Sequence, residues 1–186
     1  NAANNTYKKR YDFDDQNGYL TGPYLTVLSN GKIFGTTILG GAYGQGVIFS
    51  FDPASNTYTK IYDFTEEDGD GGFGLTEGND GLLYGISKRQ SYNQINIYSL
   101  HPVSGVHMNL YSLTNIQLSG KFVKTTAGQL YAMGLGDAYS GGAILSYDPQ
   151  TNIGAVAYPF GNANGRPYGD LLFSSDGGLY GMTSEG

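Results

Sequence analysis

Short apolar segments separated by glycine-rich turns run along the whole chain, and no segment shows the 3.6-residue hydrophobic period of a helix. The pattern is clearest in residues 31–64. Ile33 and Phe34 are adjacent there and point to opposite faces of a strand, which predicts burial on both faces. A second segment ends at Pro53, because proline cannot continue a strand ladder, and a third covers residues 58–64. The three segments predict the last three strands of a four-stranded antiparallel sheet.

Two unrelated motifs repeat along the chain at nearly the same spacing. The first reads Gly31-Lys-Ile-Phe34, Gly81-Leu-Leu-Tyr84, Gly128-Gln-Leu-Tyr131 and Gly177-Gly-Leu-Tyr180, with steps of 50, 47 and 49 residues. The second begins at Ile48, Ile97 and Ile144, with steps of 49 and 47 residues. A period of this length built from short strands is typical of β-propeller blades, which bury their faces only against neighbouring blades.

The repeat defines the expected organisation of residues 1–186 as one all-β propeller segment of four-stranded antiparallel blades. Three complete blades and two partial ones are predicted, in this order: 7–13 as the last strand of a preceding blade, 20–64, 73–113 and 118–160 as blades, and 167–186 as the first half of a further blade. We therefore expect an arc of a larger propeller. Because an open arc has bare strand edges and an uncovered blade face, we also expect it to belong to a larger polypeptide or complex.

Composition supports this fold and excludes several functions. The 186 residues include 30 Gly, 17 Tyr and 9 Phe but only 6 Pro, which is typical of a turn-rich, aromatic β-protein. The absence of cysteine excludes disulfides and thiolate chemistry. A net charge of −6 disfavours nucleic-acid binding, and the basic run at residues 8–10 is interpreted as a solvated strand face. No apolar run is long enough to span a membrane, so no direct membrane insertion is expected.

Some chemically suggestive residues are better explained by the fold. Asn30-Gly31, Asp80-Gly81 and Asp176-Gly177 occupy the same place in successive repeats, which indicates a tight turn and no catalytic aspartate. His101 lies where other repeats have aspartate, in the turn after strand 3, and His107 begins a strand 4. Neither histidine lies in a sequence motif that would pair it with a nucleophile or with another metal ligand, so both are predicted to be structural.

One acidic loop resembles a calcium-binding loop. Residues 66–77 place oxygen-bearing side chains at positions 1, 3, 5 and 12 and glycine at position 6, as an EF-hand loop does. Its first position is Glu66, however, strands replace the flanking helices, and the corresponding loops of the other repeats lack the carboxylates. A solvated acidic turn is the favoured interpretation, and no cofactor or metal is predicted.

The candidate binding residues are three tyrosines at equivalent places in the loops before strand 3: Tyr43, Tyr92 and Tyr139. Aligned on one rim, they would offer apolar rings with hydrogen-bonding tips to a sugar or a protein. The alternative is that each ring fills the gap between adjacent blades.

The motifs of residues 31–64 resemble two known repeat families. Gly31 to Phe34, the doublet Gly40-Gly41, Phe51 to Pro53 and Tyr58 are similar to kelch propeller repeats. The series Ile33-Phe-Gly-Thr-Thr37, Gly40-Gly41 and Gly44-Gln-Gly-Val-Ile-Phe49 is more closely similar to the GloVer tandem repeats of bacterial surface and secreted proteins. That resemblance implies an exported bacterial propeller, extracellular or on the cell surface. It also implies a secretion-sorting domain of the Bacteroidetes type (type IX secretion) elsewhere in the polypeptide, and it brings no catalytic residues.

The sequence thus predicts a non-enzymatic binding or structural module that recognises a glycan or protein partner through its loops. The alternative is a carbohydrate-active propeller enzyme that uses loop carboxylates, since acidic residues occur in several loops. A third possibility is an arc that packs against another large polypeptide and has no function of its own. No Ser-His-Asp order, phosphate-binding loop or metal-binding histidine pair is found.

Overall fold

Glycine and Asx turns reverse the chain after nearly every apolar segment, and within each sheet most strands therefore pair with the strand that follows them in the chain. A computed structural model describes residues 6–89, 93–118, 120–136, 141–161 and 166–184, and within these ranges the elements are all strands. The first sheet, blade 1, consists of β1 (Tyr19–Val27), β2 (Ile33–Leu39), β3 (Val47–Asp52) and β4 (Thr57–Asp63), in that spatial order.

The next sheets repeat this arrangement. Blade 2 consists of β5 (Thr76–Glu77), β6 (Leu83–Arg89), β7 (Gln94–Leu100) and β8 (His107–Thr114). Blade 3 consists of β9 (Ile116–Leu118), β10 (Val123–Lys124), β11 (Leu130–Gly136), β12 (Ala143–Asp148) and β13 (Ile153–Pro159). Blade 4 is the pair β14 (Arg166–Phe173) and β15 (Leu179–Ser184). All pairings between these strands are antiparallel, which confirms the all-β propeller fold of four-stranded blades.

The first strand of each blade is irregular at the same point. The register of β1 shifts between Thr21 and Leu25, and that of β14 shifts between Tyr168 and Leu172. In blade 3 the strand is divided into β9 and β10, which both pair with β11. In blades 2 and 3, the large apolar side chain at this point, Leu75 or Phe122, is buried against the preceding blade.

The core lies between the blades. Leu75, Leu83 and Tyr98 of blade 2 are buried against Phe34 and Ile48 of blade 1. A second cluster joins blades 2 and 3, through Tyr84, Ile86, Ile95 and Ile97 on one side and Phe122, Leu130, Leu145 and Tyr147 on the other. Blade 2 is therefore buried on both faces, as adjacent apolar residues in its central strands require.

Residues 7–13 differ from the sequence prediction, because they belong to no strand. They lie on blade 1 nevertheless. Tyr11 stacks on Tyr58 at 3.8 Å between ring centroids, as Tyr62 of blade 1 stacks on His107 of blade 2 at 4.2 Å. The segment thus contacts blade 1 as strand 4 of one blade contacts the next, but no described strand pairs with it. Its assignment to a preceding blade stays a prediction.

The two end faces of the stack are exposed, although their repeat equivalents are buried. Leu25 of blade 1 is 61% exposed, whereas Leu75, 50 residues later, is 1% exposed. At the other end Tyr180 is 54% exposed, whereas its equivalent Phe34 is 1% exposed. These apolar faces correspond to the two sides of an interior blade interface.

Candidate functional site

The antiparallel order of each blade places its loops on two opposite rims. The connections from β2 to β3 and from β4 to β5 lie on one side, which we call the loop rim, and the tight turns between β1 and β2 and between β3 and β4 lie on the other. Tyr43 lies in the loop between β2 and β3, and its side chain is 64% exposed. The alternative of a ring buried between blades therefore does not hold for this tyrosine.

Hydrogen bonds fix the loop that carries Tyr43. The Ala42 N–H donates to the Asp63 carboxylate at 2.7 Å, and the Gly41 N–H donates to the Asp15 carbonyl at 2.8 Å. Gly46 closes the loop with a positive φ of 90°, where a Cβ would lie 2.0 Å from the Thr37 carbonyl oxygen. The glycines of this loop are therefore required by backbone geometry, and they hold the Tyr43 ring out from the rim.

The other two candidate tyrosines, Tyr92 and Tyr139, lie outside the described residues. The proposed row of three rings therefore stays a prediction, with Tyr43 as its described member.

A buried carboxylate lies in the acidic loop next to β4. Asp68 is 5% exposed and accepts hydrogen bonds from the Thr65 N–H at 2.9 Å, the Tyr62 hydroxyl at 2.8 Å and the Asn109 amide at 2.9 Å. Burial acts to raise the pKa of Asp68, but the hydrogen bonds from Thr65 and Tyr62 outweigh it, so the pKa is lowered from its ordinary value. The carboxylate joins the end of blade 1 to β8 of blade 2.

This arrangement corrects the interpretation of the acidic loop as a solvated turn. Glu66 and Glu67 are exposed, but Asp68 is enclosed by protein donors that occupy its oxygens. Among the described residues no group of three or more His, Cys, Asp or Glu side chains is placed to hold a metal ion. The loop therefore serves as a contact between blades.

His107 lies beside Asp68 and is structural, as expected. Its ring stacks on Tyr62 at 4.2 Å, and its Nδ1 lies 3.7 Å from the Asp68 carboxylate. Burial lowers the pKa of His107 below its ordinary value, with the charge of Asp68 acting in the opposite direction. Its Nε2 is buried and has no hydrogen-bond partner among the described residues, which also favours the neutral ring.

His101 replaces an aspartate as an acceptor in a turn. Its Nδ1 accepts from the backbone N–H groups of Val103 at 3.3 Å and Ser104 at 3.1 Å. Asp52 accepts from Ala54 at 2.8 Å in the equivalent turn of blade 1. The histidine is therefore a turn residue on the rim opposite Tyr43.

A groove that the sequence did not reveal lies between blades 1 and 2. It has a volume of about 300 Å³ and is walled by the apolar residues Pro23, Tyr24, Ile38 and Phe73, with Gly72, Asp70 and Lys88 completing the lining. Its residues come from four separate segments, and the sequence alone does not show that these segments meet. The sequence feature that could have indicated the groove is a glycine-rich stretch that ends in an aromatic residue, Gly71-Gly72-Phe73.

The whole chain, residues 1–186, matches the model of the Gloeobacter/Verrucomicrobia repeat. The chain belongs to this family. No curated protein matches the chain in sequence. Within the described residues, no helix is present that could cross a membrane.

Two solved structures are similar to this Gloeobacter/Verrucomicrobia repeat chain. One is the extracellular domain of BT4673 from B. thetaiotaomicron, described as a one-component system, with a TM-score of 0.60 and 10% identity over 88% of this chain. The other is a gluconolactonase from Xanthomonas campestris, with a TM-score of 0.57 and 12% identity over 86% of this chain. The matches span 20% and 55% of those chains, and at this identity they show the fold alone.

Proposed function

We propose that this chain is a non-enzymatic binding module that recognises a glycan or a protein partner through its loop rim. The observation that carries the proposal is the 64% exposure of Tyr43 on a loop fixed by hydrogen bonds to Asp15 and Asp63. A tyrosine held in this way offers a large contact area and loses little conformational freedom on binding.

The alternative, a carbohydrate-active enzyme with loop carboxylates, is less well supported. A glycosidase acid needs a carboxyl group whose pKa is raised, so that it holds its proton near neutral pH. The pKa is instead lowered for Asp14, Asp52, Asp68 and Asp176, each of which accepts hydrogen bonds from nearby donors. These lowered values favour structural roles for the four groups.

We also propose that the protein is exported and acts outside the bacterial cell or on its surface, with secretion-sorting signals in another part of the polypeptide. The resemblance to exported GloVer repeat proteins supports this location, and so does the fold shared with one extracellular domain.

A further blade of the same repeat type is proposed to cover each end face. Inside the stack, Leu75 and Phe122 are the apolar residues that each blade presents to the blade before it. The exposed Leu25 is the repeat equivalent of Leu75, and the exposed Tyr180 is the repeat equivalent of Phe34. The two residues therefore represent opposite sides of such an interface. Blades with the same pattern would supply the missing contacts and complete a propeller ring.

Binding and cleavage are separated by one assay on a panel of immobilised oligosaccharides. The proposal predicts retention of the 186-residue chain on a subset of glycans without release of shorter products. Tyr43→Ala should weaken binding about tenfold or more, because an aromatic contact is lost. Tyr180→Ala, a 54% exposed tyrosine outside the loop rim, is the matched control. Release of shorter products would support the enzyme. The proposal would be contradicted if the chain bound no oligosaccharide of the panel and, in a separate pull-down experiment, retained no protein partner.

A further inference from the structure

The groove between blades 1 and 2 combines two kinds of surface. Tyr24 and Phe73 are half-buried aromatic residues in its wall, and Asp70 and Lys88 bring opposite charges to the same lining. The backbones of Asp70 and Lys88 are joined by two hydrogen bonds, at 2.9 and 3.1 Å. The charged residues are thus held at a fixed place beside the aromatic wall.

Glycines allow the two walls to approach each other. A Cβ on Gly22 would lie 2.6 Å from the Gly72 carbonyl oxygen, and a Cβ on Gly72 would lie 2.5 Å from Cγ1 of Ile38. A Cβ on Gly74 would lie 2.5 Å from the Cβ of Tyr24. Any larger residue at these points would displace a wall, so the groove depends on this set of glycines.

The position of Tyr24 carries a different side chain in every blade. Its repeat equivalents are Gly74, Lys121 and Asp170. The four positions meet: Lys121 Nζ lies 5.7 Å from the centre of the Tyr24 ring, and Asp170 accepts from the Lys121 N–H at 2.9 Å. A residue needed only for the blade fold would recur in each copy, as the turn residues do. The variation therefore makes one wall of this groove specific to blades 1 and 2.

We propose that this groove binds one ring of a neutral hexose glycan. Aromatic faces pack against the C–H groups of a sugar ring, and a neighbouring carboxylate and ammonium accept from and donate to its hydroxyls. Phe73 and Tyr24 supply the apolar surface, and Asp70 and Lys88 supply the polar groups. A volume of about 300 Å³ lies at the lower end of the range for small-molecule sites, which suits a single ring.

Charge selects a neutral sugar over an acidic one. The chain carries a net charge of −6, and Asp70 lies in the groove itself. The positive charge of Lys88 in the same lining is offset by that of Asp70, so the overall negative charge of the protein disfavours a uronate or sulfated ring. This inference rests on the proposed binding function and assigns its glycan to the groove between blades, separate from the Tyr43 loop.

The test uses glucose, galactose and mannose as probes, with glucuronate as the charged comparison. Titration of the isotopically labelled 186-residue chain followed by two-dimensional NMR should shift the amides of Gly72, Phe73 and Lys88 with at least one neutral hexose. Glucuronate should shift them less at the same concentration.

Two conservative variants separate binding from folding. Phe73→Leu keeps apolar volume but removes the ring, and Lys88→Met keeps the stem but removes the charge. Each should weaken hexose binding about tenfold, while the unshifted amides of blade 3 show that the fold is intact. Hexose-induced shifts confined to residues 40–46 would show that the sugar binds at the Tyr43 loop. That result would contradict the groove as the binding site and would agree with the proposed function. The absence of shifts with all three hexoses would show that the groove is not a hexose-binding site. The binding function itself is tested separately, by the oligosaccharide panel and the Tyr43→Ala variant.

Discussion

Asp68 shows how one side chain joins two blades. Its carboxylate receives donors from Thr65 and Tyr62 of its own repeat and from Asn109 of the next blade. The Asn96 amide donates to the Asp68 carbonyl at 3.0 Å, so the backbone of the loop is held as well. Buried charge is tolerated here because several donors satisfy it.

The burial of His107 predicts that the protein loses stability in mild acid, because burial disfavours the protonated ring more than the charge of Asp68 favours it. The pKa of His107 is lowered in the folded state, so the unfolded chain binds more protons just below the ordinary value of 6.5. This contribution to stability is complete above pH 6.5 and is lost as the pH falls below it. Urea unfolding between pH 7.5 and 5.5 should show a slope of at most about 1.4 kcal/mol per pH unit.

His107→Phe should remove most of that slope, because it keeps an aromatic ring against Tyr62 and removes the titrating group. His101→Asp, which removes the only other histidine, leaves His107 and its surroundings in place and should retain most of the slope. A slope that disappears in His101→Asp and persists in His107→Phe would contradict this account. The lowered pKa of Asp68 adds a further loss of stability only near and below pH 3.8.

At the level of single residues, the roles of residues that recur in each repeat could be predicted from the sequence. The roles of residues that do not recur were missed. The turn role of His101 follows from alignment with Asp52, and the structure confirms it. The burial of Asp68 could not be predicted, because Asn109 is 41 residues away and only blade stacking brings it near. The wall formed by Tyr24 was missed for the same reason.

At the level of strands, neighbouring blades are joined by a recurring side-chain hydrogen bond. The Thr26 hydroxyl donates to the Leu75 carbonyl at 2.5 Å, and the Thr76 hydroxyl donates to the Phe122 carbonyl at 2.6 Å. The equivalent residue in blade 3 is Val123, which has no hydroxyl. The carbonyls lie where the first strand is irregular, so these bonds replace ladder hydrogen bonds.

Thr26→Val and Thr76→Val should each lower the free energy of unfolding by about 1 kcal/mol, because the shape is retained and one hydrogen bond is lost. Chemical denaturation of both single variants and the double variant measures the effect. The two losses should add, since the bonds lie in different interfaces. Losses below the experimental error in both variants would show that these bonds do not stabilise the stack.

The strand pattern itself was largely predictable. Adjacent apolar residues such as Ile33 and Phe34 indicated a sheet covered on both sides, and Asn30-Gly31 indicated the hairpin turn. The register shift in the first strand was not predicted from the sequence. Residues 7–13 were predicted as a strand from their similarity to 58–64, but pairing requires a neighbour that the described chain does not provide.

At the level of the molecule, stacked repeats with two open faces explain both the fold and the proposed larger ring. The repeat in the sequence was sufficient to predict the blades, and the matching family model extends over all 186 residues. The binding partner could not be predicted in the same way, because the loops differ between copies and the inter-blade groove depends on residues that do not recur.

The most direct test of the stacked-blade account compares Leu25→Ala with Leu75→Ala by chemical denaturation of the 186-residue chain. The two leucines occupy equivalent repeat positions, but Leu75 is 1% exposed and Leu25 is 61% exposed. Leu75→Ala should lower the free energy of unfolding by about 2 to 5 kcal/mol, because it opens a cavity between blades. Leu25→Ala should lower it by less than about 1 kcal/mol. Equal losses at both positions would contradict the account, because Leu25 would then be covered as Leu75 is.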